Sequence, residues 1–179
     1  MARRSAPPAA GPRVGIILSG GASSRMGSPK ALLPDDRGQS FLARLAKTLR
    51  AGGCDVVVVV AGCHVAEIAQ VLPPGVLLAS NPDWSRGQLS SAKVGLRAAT
   101  GLQASRVLLQ PVDQPLIRPA DARAVLEATG VDVAVAVWRG ETGHPICLSP
   151  RAAAAIAADR RSATLRDALA RHAPRVALV

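Results

Sequence analysis

The sequence predicts a single-domain, three-layer α/β fold with a mostly parallel central sheet and helices on both faces. Three observations predict it. Apolar runs recur along the 179 residues and alternate with segments whose apolar positions repeat at helical spacing. Several runs are continuous rather than alternating, above all Val56 to Val60, as expected of strands buried on both faces. The first run, Val14 to Leu18, stops at Gly20-Gly21, where a connection begins that is longer than folding alone requires.

The elements follow in order. Residues 1–13, M-A-R-R-S-A-P-P-A-A-G-P-R, have a basic start but no apolar segment able to act as a signal core. They are expected to form a disordered N-terminal tail ahead of one domain over residues 14–179. Val14 to Leu18 is the first strand. Phe41 to Ala51 sets Leu42, Leu45, Ala46 and Leu49 on one helical face and ends at Gly52-Gly53. Val56 to Val60 is the second strand, and Val65 to Leu72 a short helix stopped by Pro73-Pro74. Gly75 to Ser80 is the third strand. Ser90 or Ser91 is expected to cap a helix running through Leu96 to about Ala99. Arg106 to Val112 is the fourth strand and ends at Asp113-Gln114-Pro115; Pro119 opens the next helix, through Val125 and Leu126. Val133 to Trp138 is a strand, and after the tight connection Arg139 to Gly143, His144 to Ser149 reads as an antiparallel one. Helix-like pieces around residues 151–158 and 163–170 precede the apolar Val176 to Val179.

Composition narrows the function classes. The net charge of +10 comes from 22 basic and 12 acidic side chains, with Lys30, Lys47 and Lys93 the only lysines. A basic chain suits nucleic acid, an anionic membrane or a phosphorylated small molecule. The absence of Tyr, with Phe41, Trp84 and Trp138 the only aromatic residues, removes the stacking platforms that single strands need. The arginines are scattered, as on a solvated surface, so nucleic acid is not an expected partner. No stretch approaches bilayer length, which argues against a membrane, and a cytoplasmic protein is the expectation. Cys54, Cys63 and Cys147 are odd in number and form no C-x-x-C pair, against a disulfide framework or a zinc site.

The chemistry gathers at strand ends. Two successive glycines let a backbone approach a ligand closely and aim amide N–H groups at anionic oxygens. Arg25 and Lys30 follow, one a forked guanidinium and one a compact ammonium, so Leu18, Ser19, Gly20 and Gly21 with these cations read as a polyphosphate cradle. The alternative is an ordinary glycine-rich turn with solvated cations. Neither G-x-x-x-x-G-K-[ST] nor G-x-G-x-x-G is present. Ligands of open α/β sheets bind beyond the carboxyl ends of the strands, where Gly20-Gly21, Asn81 and Asp113 all fall. Asp113 closes a nearly all-apolar strand, where a carboxylate is costly unless compensated. Magnesium would compensate it, and so would capping the helix beyond Pro119 or pairing with an arginine. Trp84 either stacks on a ring or plugs the loop. His144 is a turn histidine or an acceptor-side contact, and Cys147 belongs to the core.

The stretch L-S-G-G-A-S-S-R-M-G-S-P-K-A-L-L resembles the signature L-[AS]-[AG]-G-x-S-x-R-M-G-x-x-K of the MobA-like NTP transferases, which include enzymes attaching GMP or CMP to molybdopterin. D-Q-P-L is similar to the family's magnesium-holding D-[QM]-P, and N-P-D-W-S-R-G-Q-L-S-S to its N-x-x-W-x-x-G-x-x-S-S; together the matches cover residues 14–149. The resemblance implies a Rossmann-like nucleotidyltransferase fold and Mg2+ held by Asp113. It implies catalytic roles for Arg25, Lys30 and Asp113, nucleotide contacts that add Leu18, Ser19, Gly20, Gly21, Asn81, Gly87 and Ser91, and acceptor-side roles for Gln114 and His144. An acceptor phosphate would attack the α-phosphorus of an NTP and release pyrophosphate. Gln114 and G-H-P-I favour CTP, while Gly21 in a double glycine leans toward GTP. The implied acceptor is molybdopterin or its molybdenum-loaded form, with a molybdoenzyme or its maturation factor as further partner. Cytidylyltransferase relatives continue past a strand like Val176 to Val179 into D-[IV]-D-T-P-E-D, an acidic motif this sequence does not contain. That leaves Asp113 anchoring the metal with phosphate and water, an impaired site, or an incomplete chain. Other readings are a sugar-phosphate or other metabolite nucleotidyltransferase and a non-catalytic nucleotide- or cofactor-binding protein.

Overall fold

The computed structural model describes residues 11–21 and 29–179. Its continuous apolar runs become strands buried on both faces: in β1 (Arg13–Ser19), Val14, Ile16 and Leu18 enter one core and Ile17 the other. The same alternation sends Val58 and Val60 of β2 (Val56–Ala61) one way and Val57 and Val59 the other. Period-two geometry therefore explains why no polar residue interrupts these strands.

Further along lie α1 (Phe41–Ala51), α2 (Val65–Gln70), β3 (Leu77–Ser80), α3 (Gln88–Gly101), β4 (Arg106–Pro111) and α4 (Pro119–Glu127). Then come β5 (Val133–Trp138), β6 (Glu141–Leu148), α5 (Pro150–Ala158), α6 (Leu165–His172) and β7 (Val176–Leu178). The sheet order is β3-β2-β1-β4-β6-β5-β7, with β6 antiparallel to β4 and β5 and every other pairing parallel. Residues of α3, α5 and α6 fill one core and those of α1, α2 and α4 the other, which gives the three layers expected. No helix among the described residues is long and apolar enough to cross a membrane.

Local rules account for the boundaries. The Ser40 hydroxyl accepts from Ala43 N at 3.2 Å and starts α1. α3 departs from expectation: Gly87, at φ 96°, stands at its N-cap, so Ser90 and Ser91 lie inside the helix and cap nothing. A glycine with positive φ starts the helix three to four residues early. β6 likewise begins at Glu141 rather than His144, because pairing with β5 recruits residues whose composition reads as a turn. Of the tail assigned to residues 1–13, residues 1–10 lie outside the described residues. Gly11 to Arg13 are part of the fold, Ser105 N donating to Pro12 O at 2.9 Å and Arg13 N to Asp55 Oδ2 at 2.8 Å.

The last strand is tied on by one carboxylate. Buried Asp132 accepts from Arg175 N (3.1 Å), Nε (3.1 Å) and Nη2 (2.8 Å), holding β7 beside β5. The guanidinium holds its carboxyl down at about 2. A carboxylate with a depressed folded value stabilises above its ordinary range, about 4, and loses that contribution as pH falls through about 2. Asp132→Asn is therefore expected to lower the Tm by a few degrees at neutral pH, the difference from wild type shrinking as both are titrated from about pH 4 to about pH 2.

Candidate active site

The carboxyl ends of β1, β2, β3 and β4 share one rim, where Gly20, Gly62, Asn81 and Asp113 follow their strands. Lys30 reaches this rim from a 3-10 turn (Lys30–Leu32) anchored by buried Ala31. Its ammonium donates to Asp113 Oδ2 at 3.2 Å, closing 83 positions of sequence into one charge pair. The two side chains are 39% and 50% exposed, so the pair contributes at most about 1 kcal/mol to folding. Its consequence is the placement of charge. Asp113 does not cap α4, whose N-cap is Arg118 bonded to Asp121, and among the described residues it pairs with a lysine rather than an arginine. Arg25 lies outside the described residues.

His144 is half-buried within β6, and its peptide bond to Pro145 is cis. Burial pushes the imidazole below its ordinary value, and the Asp113 carboxylate opposes that push. The ring is therefore neutral at pH 7 and close enough to Asp113 to feel its charge. Gln114 is exposed on the same turn as Asp113. Burial drives the thiols of Cys54 and Cys147 up, to about 12 and about 11, so both are inert core residues.

Behind the Gly20-Gly21 loop stands a bonded frame. Asn81 is 2% exposed; its Nδ2 donates to Ser90 Oγ and Ser91 Oγ at 2.9 Å each, and its Oδ1 accepts from Asp83 N at 3.1 Å. The sequence set Asn81 and Ser91 at the nucleotide; in the structure these side chains bond to each other and shape the turn that ends at Gly87. Ser91 Oγ also abuts Gly20, where a Cβ would overlap it. Leu18 O accepts from Val112 N at 3.0 Å, which fixes the glycine loop relative to the Asp113 turn, and Ser19 is buried beside it. Trp84 stands half-buried with its Cβ against Gly62 and Gly20.

Two residues of the rim escaped sequence reading. Gln110 is fully buried in β4, and its Nε2 donates to Pro111 O at 3.1 Å and Gln114 O at 2.9 Å. One amide thus clamps both ends of the turn that carries Asp113, while its Oε1 finds no partner among the described residues. A buried polar group left half-satisfied is costly, so the clamp is the gain that offsets it. The available signal was a lone polar residue in R-V-L-L-Q-P. Gln110→Leu, similar in size, should fold with an unchanged Tm but lower kcat about tenfold, with the KM for nucleotide within about twofold, as steady-state kinetics would read. The other missed residue is Gly62, which lies so close to the Gly20 carbonyl oxygen and Trp84 that a Cβ would overlap both. A glycine directly after V-V-V-V-V-A was its only trace.

Among the described residues no three His, Cys, Asp or Glu side chains converge as a metal cage. Asp113, half-exposed at a strand end, nonetheless fits magnesium, which takes one or two carboxylates and completes its shell with phosphate oxygens and water.

The sheet order and the two helical layers define a Rossmann-like α/β fold. Crystallised Rv0371c from Mycobacterium tuberculosis H37Rv superposes with a TM-score of 0.80 at 23% identity, over 95% of this chain and 88% of that one. The chain belongs to the family of MobA-like NTP transferase domains, matched over residues 15–176. It is 37% identical over 125 residues to a probable molybdenum cofactor guanylyltransferase of Rhodopirellula baltica, covering 69% of this chain and 57% of the relative. It is 38% identical over 105 residues to a nicotine blue oxidoreductase of Paenarthrobacter nicotinovorans, covering 56% and 49%. The chain thus spans about half the length of these curated relatives.

Proposed function

We propose that the protein transfers a nucleoside monophosphate from GTP or CTP to the phosphate of molybdopterin or its molybdenum-loaded form, releasing pyrophosphate. The observation that carries this reading is the Lys30–Asp113 contact at 3.2 Å on the carboxyl rim of the sheet. A cation and a carboxylate held together there suit a ligand that brings both phosphates and a counterion.

In this reading the amides of Leu18 to Gly21 and the charges of Arg25 and Lys30 bind the triphosphate. Asp113 would hold Mg2+, which when bound supplies positive charge against the phosphates. The acceptor phosphate is already ionised, so no general base is required, and neutral His144 serves as a contact on the acceptor side with Gln114. Lys30 carries charge to the leaving pyrophosphate as the bond to the α-phosphorus breaks. Catalysis is positioning plus electrostatic stabilisation. Gln114 and the Gly143 to Ile146 segment favour CTP; the Gly20-Gly21 pair and the guanylyltransferase relative favour GTP. Pyrophosphate release with each nucleotide, Mg2+ and molybdopterin tests the proposal and ranks the bases. Nucleotide binding without pyrophosphate release from any NTP would replace the transferase by a binding protein, and would leave open the kind of chemistry named for the oxidoreductase relative.

A further inference from the structure

The turn that carries Asp113 is short of main-chain support. Pro111 and Pro115 stand on either side of it and bring no N–H, and the bond across it, Gln114 N to Pro111 O, is long at 3.4 Å. Side chains make up the difference by donating to its carbonyls. Gln110 of β4 takes those of Pro111 and Gln114. Arg44 of α1 takes the next one, its Nε donating to Pro115 O at 3.0 Å across 71 positions of sequence.

The other arm of the same guanidinium reaches the segment that carries Lys30. Nη1 donates to Asp35 Oδ2 at 2.9 Å, and the two side chains are 28% and 4% exposed. Asp35 Oδ1 accepts from Arg37 N and Gln39 N at 2.9 Å each. The guanidinium holds the Asp35 carboxyl below the usual carboxylate range, so the pair is charged at pH 7. This loop is continuous with the Lys30 turn: Leu33 N donates to Lys30 O at 3.2 Å, and Phe41 N to Leu33 O at 2.9 Å. Arg44 therefore closes a circuit in which Lys30 and Asp113 touch at one point and their supporting segments are tied at another. For folding alone the placement is costly. Arg44 sits four positions after the N-cap Ser40, at the end of the α1 dipole that disfavours positive charge, and it draws a carboxylate out of water.

We propose that Arg44 is a positioning residue for transfer: by holding the Pro115 carbonyl and the Asp35 carboxylate on one planar fork, it fixes the distance between Lys30 and Asp113. This rests on the transferase reading and adds to the site a residue that acts through Lys30 and Asp113 rather than on the substrates. The exposed Lys30–Asp113 contact is too weak to set its own geometry, whereas a shielded guanidinium with two divergent bonds can. Lysine offers no such fork, only one ammonium on a flexible stem.

The test reads pyrophosphate release with Mg2+, molybdopterin and the better of CTP and GTP. Arg44→Met, which keeps most of the bulk, should lower kcat about tenfold and leave the KM for nucleotide within about twofold. Arg44→Lys keeps a charge beside Asp35 and should still lower kcat about fivefold with a Tm near that of wild type, which decides the matter even where Arg44→Met folds poorly. Asp35→Asn retains the acceptor for Arg37 N and Gln39 N and should lower kcat about threefold. The double variant should be no worse than Arg44→Met alone, because the carboxylate has nothing to orient once the guanidinium is gone. A Tm that falls while kcat holds would reduce Arg44 to a loop staple and overturn the proposal, and so would losses that multiply in the double variant; the transferase stands in either case. Should wild type release no pyrophosphate, the transferase reading fails, and calorimetry of nucleotide binding with and without Mg2+ decides Arg44. A gain in affinity from Mg2+ that is severalfold smaller in Arg44→Lys than in wild type supports the proposal; an equal gain, or none in wild type, overturns it.

Discussion

Asp113→Asn is expected to lower pyrophosphate release by a factor of about 10² to 10³, the range seen when one preorganised charge-stabilising group is removed from an active site. The substitution is close to isosteric. Its amide oxygen can still accept from Lys30 Nζ, so the 3.2 Å contact that positions Lys30 survives while the negative charge is lost. The pair is solvated enough that folding should hardly change, and a Tm within about two degrees of wild type is the control. Nucleotide binding measured with Mg2+ should weaken severalfold, whereas binding measured without a divalent ion should be equal to or tighter than that of wild type, since a carboxylate near phosphates repels them unless a cation intervenes. That opposite response to metal separates a cation-holding role from a merely structural one. Turnover equal to wild type would remove Asp113 from the mechanism and with it the central observation behind the proposed activity.

Much of this arrangement was legible because strand-end logic needs only order and direction. Val56 to Val60 and Val14 to Leu18 could be assigned to buried parallel strands from their unbroken apolar character, and Arg106 to Val112 from a mainly apolar one. Once they are parallel, Gly20, Asn81 and Asp113 must share an edge. What could not be read was how side chains divide their hydrogen bonds. Asn81 stood out because it is polar at a strand end, but the bonds from its amide to Ser90 and Ser91 were not visible there. The serines looked like caps for the same reason, but a positive φ at Gly87 had already started the helix, and no residue preference reports a backbone angle at a neighbour. Gln110 was invisible for the converse reason, since the two carbonyls it clamps carry no side-chain signal. Glu141, Thr142 and Gly143 read as part of a turn and are in fact strand, because pairing with β5 outweighs local propensity.

Gly62→Ala should damage the cradle without breaking the fold, lowering kcat/KM for nucleotide by about thirty- to a hundredfold. The added methyl would overlap the Gly20 carbonyl oxygen on one side and Trp84 Cβ on the other, so neither rotation nor a flexible chain end can absorb it. The backbone of the glycine loop must shift by something like 1 Å, and displacements of that size cost on the order of 10²-fold where phosphates are held by positioned amides. β2 itself ends at Ala61 and keeps both of its neighbours, so the Tm should fall by only a few degrees. Gly20→Ala supplies the contrast that identifies the cause. There the obstructing atom is Ser91 Oγ, the tip of a small side chain, and combining the change with Ser91→Ala removes the overlap. The double variant should therefore recover much of the nucleotide affinity that Gly20→Ala loses, while no truncation of a neighbouring side chain can rescue Gly62→Ala, whose first obstacle is main chain. Wild-type affinity in Gly62→Ala would mean that the loop is not held by this contact, and that the cradle is set by the nucleotide rather than by the sheet.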